Sequence, residues 1–207
     1  TAVTGIYVSA ATTKNIYQNI ISGLTANSGT TGNTTTLLTV NGIWVAGGTT
    51  VNLYENKISG LTANAITTGT INGIAITGGT TVSAYRNKIY NLSSSGNAIS
   101  ASGSVNGFRV SAGTSITIRN NIIGDLRATA ASIVDPIRGI NLVSTTASTN
   151  NYVYYNTIYL NEVSTGTNFG ATGIYHTGSA SGTANFELIN NIFFNVSTHS
   201  GSGLNVD

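Results

Sequence analysis

The sequence predicts an all-β chain wound as a single-stranded parallel β-helix, a solenoid of about six complete coils with an asparagine ladder. Three observations predict it. A Gly followed by an apolar residue recurs at Gly5-Ile6, Gly42-Ile43, Gly73-Ile74, Gly107-Phe108, Gly139-Ile140, Gly173-Ile174 and Gly203-Leu204, at intervals of 37, 31, 34, 32, 34 and 30 residues. A period in that range marks a repeat architecture. An Asn follows in each of six units, at Asn19, Asn56, Asn87, Asn121, Asn156 and Asn191; it lies 14 residues after the Gly in the first four, and 17 and 18 after it in the last two. Third, charged residues make up only 7% of the 207, and Gly, Ser, Thr and Asn supply the polarity. Such short polar side chains suit strands and tight turns better than helices.

Each unit reads G-I-x-V, a turn of small residues, then V-x-L-x-x-N-x-I-x-x-L. Period-two alternation places Ile43 and Val45 on one face of a first strand, and Val51 and Leu53 on the corresponding face of a second. Ile58 opens a third strand, and Leu61 adds a further apolar position. Three short strands with one apolar face each cannot bury that face alone, whereas stacked coils enclose a continuous apolar column. At an inter-strand spacing of about 4.8 Å, six coils make a rod roughly 30 Å long. The Asn stands at the corner between the second and third strands. Asn tolerates positive φ, and its amide both donates and accepts, so one Asn per coil is expected to stack into a ladder that satisfies turn backbone groups. Gly47-Gly48 and Gly78-Gly79 read as turns and not as a phosphate cradle, because no helical pattern follows them.

Eight Lys and Arg against six Asp and Glu give a net charge of +2, which leaves no electrostatic footprint for nucleic acid or an anionic membrane. No apolar run approaches the ~20 residues of a membrane span, so no membrane insertion is expected. Without Cys there is neither a disulfide framework nor a thiolate metal site. The chain carries no initiator Met, signal peptide or sorting tail, and residues 1–207 read as one parallel β-helix domain cut from a longer solenoid.

The stretches "TSITIRNNIIGDL" and "GFRVSAG" resemble the right-handed parallel β-helix repeats of pectin-degrading enzymes, phage tailspikes and bacterial surface proteins. "NNYVYYNTIYLNEVSTGTNFGATGIY" with "ELINNIFFNVST" resembles more closely the repetitive segments of very large secreted proteins of the Bacteroidetes and their relatives. The resemblance covers the whole chain. It implies a right-handed solenoid and a secreted or cell-surface location, while one superfold hosts many activities.

Polysaccharide-cleaving enzymes on such a scaffold rely on clustered carboxylates. Here Glu55, Asp125, Asp135, Glu162, Glu187 and Asp207 show no D-D, D-x-D or E-x-D arrangement, and no two share a column on neighbouring coils. Asp125 and Asp135 flank one excursion and are the pair a loop would bring together. His176 falls in the column of Val8, Val45, Ile76, Val110 and Leu142, which predicts an inward, neutral, hydrogen-bonded imidazole. With His199 as the second histidine and no Cys, no zinc site or Ser/His/Asp set assembles. No catalytic residue, cofactor or metal is expected.

The outward columns carry the functional signal. One reads Tyr17, Tyr54, Tyr85, Arg119, Tyr154 and Ile189; the other reads Tyr7, Trp44, Ala75, Arg109, Asn141 and Tyr175. Rings one coil apart suit sugar stacking, and Tyr and Trp carry binding energy at surfaces. The same rings are good strand formers that stabilise a sheet by stacking on one another. Glu55 and Arg86 are expected to pair beside Lys57 over Lys88. Thr12-Thr13, Thr49-Thr50, Thr80-Thr81 and Thr114-Ser115 form ranks that would order water as ice-binding faces do, except that adjacent residues should face opposite ways. Excursions after Leu24, Leu61, Leu92 and Leu126 vary in length, as specificity loops of repeat proteins do. The expectation is a non-catalytic extracellular structural or adhesive module, a stalk or scaffold. The alternative is a carbohydrate-binding module that meets polysaccharide or cell-surface glycan through Tyr17, Tyr54, Tyr85, Tyr154, Trp44 and Arg119. A lyase or hydrolase fragment and an ice-binding protein are the remaining readings. With no polar or helical cap legible at either terminus, end-to-end self-association is expected as well.

Overall fold

The computed structural model describes residues 2–28, 38–65, 69–95, 104–143, 149–177, 185–203 and 205–206. Among them the regular structure is all strand, organised as parallel sheets stacked into a β-solenoid. The first sheet runs through Ala2–Val8, Leu38–Val45, Gly69–Thr77, Val105–Ala112, Ile137–Leu142 and Phe169–His176, with Asn205–Val206 added at its end. The second stacks Thr13–Tyr17, Thr50–Tyr54, Thr81–Tyr85, Ser115–Arg119, Asn150–Tyr154 and Asn185–Ile189. The third stacks Ile20–Ser22, Lys57–Asn64, Lys88–Ser94, Ile122–Gly124, Thr157–Leu160 and Ile192–Asn195. Most of the excursions after Leu24, Leu61 and Leu92 and of the late polar insertions lies outside the described residues.

Register joins each repeat to the next as the spacing requires: Ile43 pairs with Ile74, Val51 with Val82, and Ile58 with Ile89. The inward side chains merge into one apolar cluster from Val8 to Ala171, with Val51, Leu53, Ile58 and Leu61 fully buried. The repeated Gly is a packing requirement. A Cβ on Gly73 would stand 2.5 Å from Ile89 Cγ2 and 2.6 Å from the carbonyl oxygen of Gly107, and Gly42, Gly107 and Gly139 are hemmed in the same way. The first strand therefore bends against the third only where no side chain intervenes.

The six stacked strands of the second sheet make about five turns, so the count of six complete coils is slightly high. Asn205–Val206 begins a seventh level of the first sheet, but Gly203 does not fall in the glycine column, and Leu204 lies outside the described residues. The Gly203 N–H donates to the Thr167 carbonyl at 2.8 Å and Asn205 pairs with Phe169, so the chain meets the first sheet well ahead of the level of Gly173.

The ladder is present, with a different division of labour at its corner. Left-handed backbone, φ between 52° and 56°, falls on the residue before each ladder Asn: Gln18, Glu55, Arg86, Asn120, Tyr155 and Asn190. That residue makes the bend, which frees the Asn to aim its carboxamide along the rod. Asn121 Nδ2 donates to Asn156 Oδ1 at 2.9 Å and to the Ala84 carbonyl at 3.0 Å, while its Oδ1 accepts from the N–H and Nδ2 of Asn87. The pattern holds from Asn19 through Asn56 to Asn191.

A second ladder stands beside the glycine corner. Asn72 Nδ2 donates to Asn41 Oδ1 at 2.9 Å, and Asn106 Nδ2 to Asn72 Oδ1 at 2.9 Å, all three residues being buried. In the next coil Arg138 takes the column, and Asn141 reaches in from its neighbour to donate to Asn106 Oδ1 at 2.8 Å.

Three features differ from expectation, the first being that Ala75 and Asn141, in the outward column of Tyr7 and Trp44, are buried, Asn141 bonding to Arg138 and Asn106. Thr12, Thr49, Thr80 and Thr114 are exposed, and the following Thr13, Thr50, Thr81 and Ser115 also face outward. Both members of each pair reach solvent because the first belongs to the turn, so alternation begins only at the second. His176 pairs in register with Leu142, in its inward column, but it lies in the last coil and is exposed; its ring stacks on Phe186 at 4.5 Å. At the other end Lys14 pairs with Val51, placing a charged residue in an apolar column of the first coil.

Candidate binding face

The second sheet builds the most regular outward surface. Its register sets Tyr17 against Tyr54, Tyr54 against Tyr85, Tyr85 against Arg119, and Arg119 against Tyr154, with Ile189 last. The tyrosine rings stack face to face, with centroids 4.8 Å apart and planes 1° apart for Tyr17 and Tyr54, and 5.0 Å and 4° for Tyr54 and Tyr85. The Arg119 guanidinium lies 4.4 Å above the Tyr85 ring and closes the stack. Phenol edges and hydroxyls therefore face solvent, while the ring faces cover one another. Burial in the stack, then the adjoining tyrosines and Glu55, raise the Tyr54 phenol above its usual pKa. Tyr154 stands beyond Arg119 and is also raised, by burial first and then by Glu187.

On the first sheet Tyr7 packs edge-on against Trp44 at 4.9 Å, and Trp44 Nε1 donates to Thr77 Oγ1 at 2.8 Å. Tyr7 is exposed and Trp44 half-buried. Ala75 lies in the same column between Trp44 and Arg109, and partial burial lowers the Arg109 pKa. Between the first and second sheets an open groove of about 810 Å³ runs along four coils, lined by small residues such as Gly48, Thr49, Gly79, Thr80 and Gly113.

The charged groups pair locally. Glu55 meets Arg86 at 3.3 Å, exposed as expected, and also accepts from Gln18 Nε2. Lys57 and Lys88 stack in register, with the Tyr90 ring 5.7 and 5.2 Å from their ammonium groups; the hydrogen bond to Lys57, then that to Ser59, lowers the Tyr90 pKa. Asp125 and Asp135 do not form a pair, because each is held by its own arginine. Arg127 grips Asp125 through two bonds of 2.7 and 2.8 Å. Arg138 Nε donates to Asp135 at 2.7 Å, Thr172 Oγ1 donates to the other carboxylate oxygen, and the Arg138 guanidinium stacks on Tyr175 at 3.3 Å.

Glu162 is a carboxyl that the spacing did not single out. It is buried, its Oε1 has no hydrogen-bond partner, and burial raises its pKa, with Arg127 and Asp125 among the charges that act on it. Among the described residues no three acidic or histidine side chains gather as a metal site, and no helix is long and apolar enough to cross a membrane. Comparison with protein-family models, with curated proteins and with solved structures finds no match.

Proposed function

We propose that this chain is a non-catalytic structural or adhesive module, a stiff segment that spaces and displays repeated weak contacts at a cell surface or outside the cell. The observation that carries the reading is how the polar groups are used. Two asparagine ladders and the stacked tyrosines link coil to coil along the rod, and Asp125 and Asp135 are each held by an arginine two or three residues away. A rod whose coils are linked in this way resists bending, and contacts repeated at fixed spacing gain strength through multivalency.

A second reading, carbohydrate binding, is favoured by the exposed Tyr7 ring beside Trp44 and by the exposed Tyr17 phenol on the neighbouring sheet. One experiment separates the two. Single chains are run through gels containing a panel of polysaccharides, and beads carrying many copies are tested on surfaces of the same polymers. The adhesive module leaves single chains unretarded and retains the beads. Saturable retardation of single chains, lost in Tyr54→Ala with Tyr85→Ala or in Trp44→Ala, would replace it with a carbohydrate-binding module. Newly formed reducing ends would replace both with an enzyme.

A further inference from the structure

The chain contains neither Cys nor Met, so its ten tyrosines and single tryptophan are the side chains that give up an electron most readily. Three of those tyrosines, Tyr17, Tyr54 and Tyr85, lie in one parallel stack on successive coils, with ring centroids 4.8 and 5.0 Å apart. Identical strand register sets equivalent ring carbons one above another at about the inter-strand spacing of 4.8 Å. Tyr17 is exposed and the other two are half-buried, so oxidants reach the phenol edges, and surface rings turn on a fast timescale. The other ring pairs differ. Tyr152 and Tyr154 are 6.1 Å apart and tilted by 34°, Tyr154 and Tyr155 are 6.5 Å apart at 60°, and Tyr159 stacks on Phe194, which has no phenol.

We infer that the Tyr17, Tyr54 and Tyr85 stack is an oxidative cross-linking site, at which peroxide and a one-electron peroxidase-type catalyst join neighbouring coils through dityrosine. Each of two phenols loses one electron and its hydroxyl proton. The two radicals form a carbon–carbon bond between ring positions ortho to oxygen, and the hydrogen displaced from each of those carbons returns to its phenol oxygen. One peroxide accepts the two electrons and two protons and leaves as two waters, so the protein loses two hydrogens. Tyr17 and Tyr54 are 37 residues apart, and Tyr54 and Tyr85 are 31 apart. A bond across either span restricts the unfolded chain as a disulfide does, in a sequence that has none to form.

The test treats dilute protein with peroxidase and peroxide and follows dityrosine fluorescence, denaturing electrophoresis and mass-spectrometric peptide mapping. The expected product is monomeric, two hydrogens lighter, bridged between Tyr17 and Tyr54 or between Tyr54 and Tyr85, and melts about 5 °C higher. Tyr54→Phe keeps a ring in the stack but removes its phenol, and the intrachain product falls to background. Absence of dityrosine overturns the inference. So does dityrosine found only between chains, an intrachain bridge that maps to Tyr152, Tyr154 or Tyr155, or a yield unchanged in Tyr54→Phe.

Discussion

Asn121 makes four hydrogen bonds with one carboxamide, two as donor and two as acceptor, and is 1% exposed. Removing it leaves the Asn87 N–H and Nδ2 and the Ala84 carbonyl to find other partners in a site with no room for bulk water. Orphaning buried polar groups costs far more than the net value of the bonds themselves. Asn121→Ala is therefore expected to destabilise by about 3 kcal/mol, measured by chemical denaturation. Asn15, which accepts from Asn52 Nδ2 on the exposed face, serves as the control, and its Ala variant should cost about 0.5 kcal/mol or less. Equal losses at the two sites would mean that burial is not what gives the ladder its value.

At the scale of the element, each coil depends on one bend that excludes side chains. In Gly73→Ala the new methyl meets the Ile89 side chain, deep in the core, and the Gly107 carbonyl of the next coil. Neither yields without shifting a strand, so a loss of about 1–3 kcal/mol is expected, as for overpacking, read as a lower melting temperature with unchanged far-ultraviolet circular dichroism. Gly124, where the nearest atom to an added Cβ is 3.3 Å away, should tolerate Ala better. This bend also explains what the sequence reveals. Alternation gives the inward columns of the middle coils and the outward tyrosine column correctly, because between corners the backbone keeps its period of two, while His176 in the inward column of a later coil is exposed. It conceals the Asn41, Asn72 and Asn106 ladder, because the period breaks at the following Gly and the side chain before it turns into the corner. The same break hides the shared outward orientation of Thr49 and Thr50. Spacing places the tyrosines in one column but is silent on whether their faces meet sugars or each other; ring planes 1° apart come from the packing alone.

At the scale of the whole molecule, the first and last coils described differ. The last coil turns Phe186, Leu188 and Phe193 toward the axis, in register with Asn151, Val153 and Ile158 of the coil before, and each is about two-fifths exposed. The first coil presents Ile6 and Ile16 half-buried, but also Lys14 in a column that is otherwise mostly apolar. An inward charge discourages the stacking of another chain on a coil face, and apolar coil faces invite it. Self-association of this chain is therefore expected to run through the last coil, giving a sedimentation coefficient that rises with concentration and then levels at a dimer. Leu188→Lys with Phe193→Lys should hold the protein monomeric, and Lys14→Val should open the other end and carry association past the dimer. A wild-type chain that stays monomeric at high concentration would exclude the last coil as a contact face. Growth past the dimer without any substitution would show that Lys14 does not guard the first.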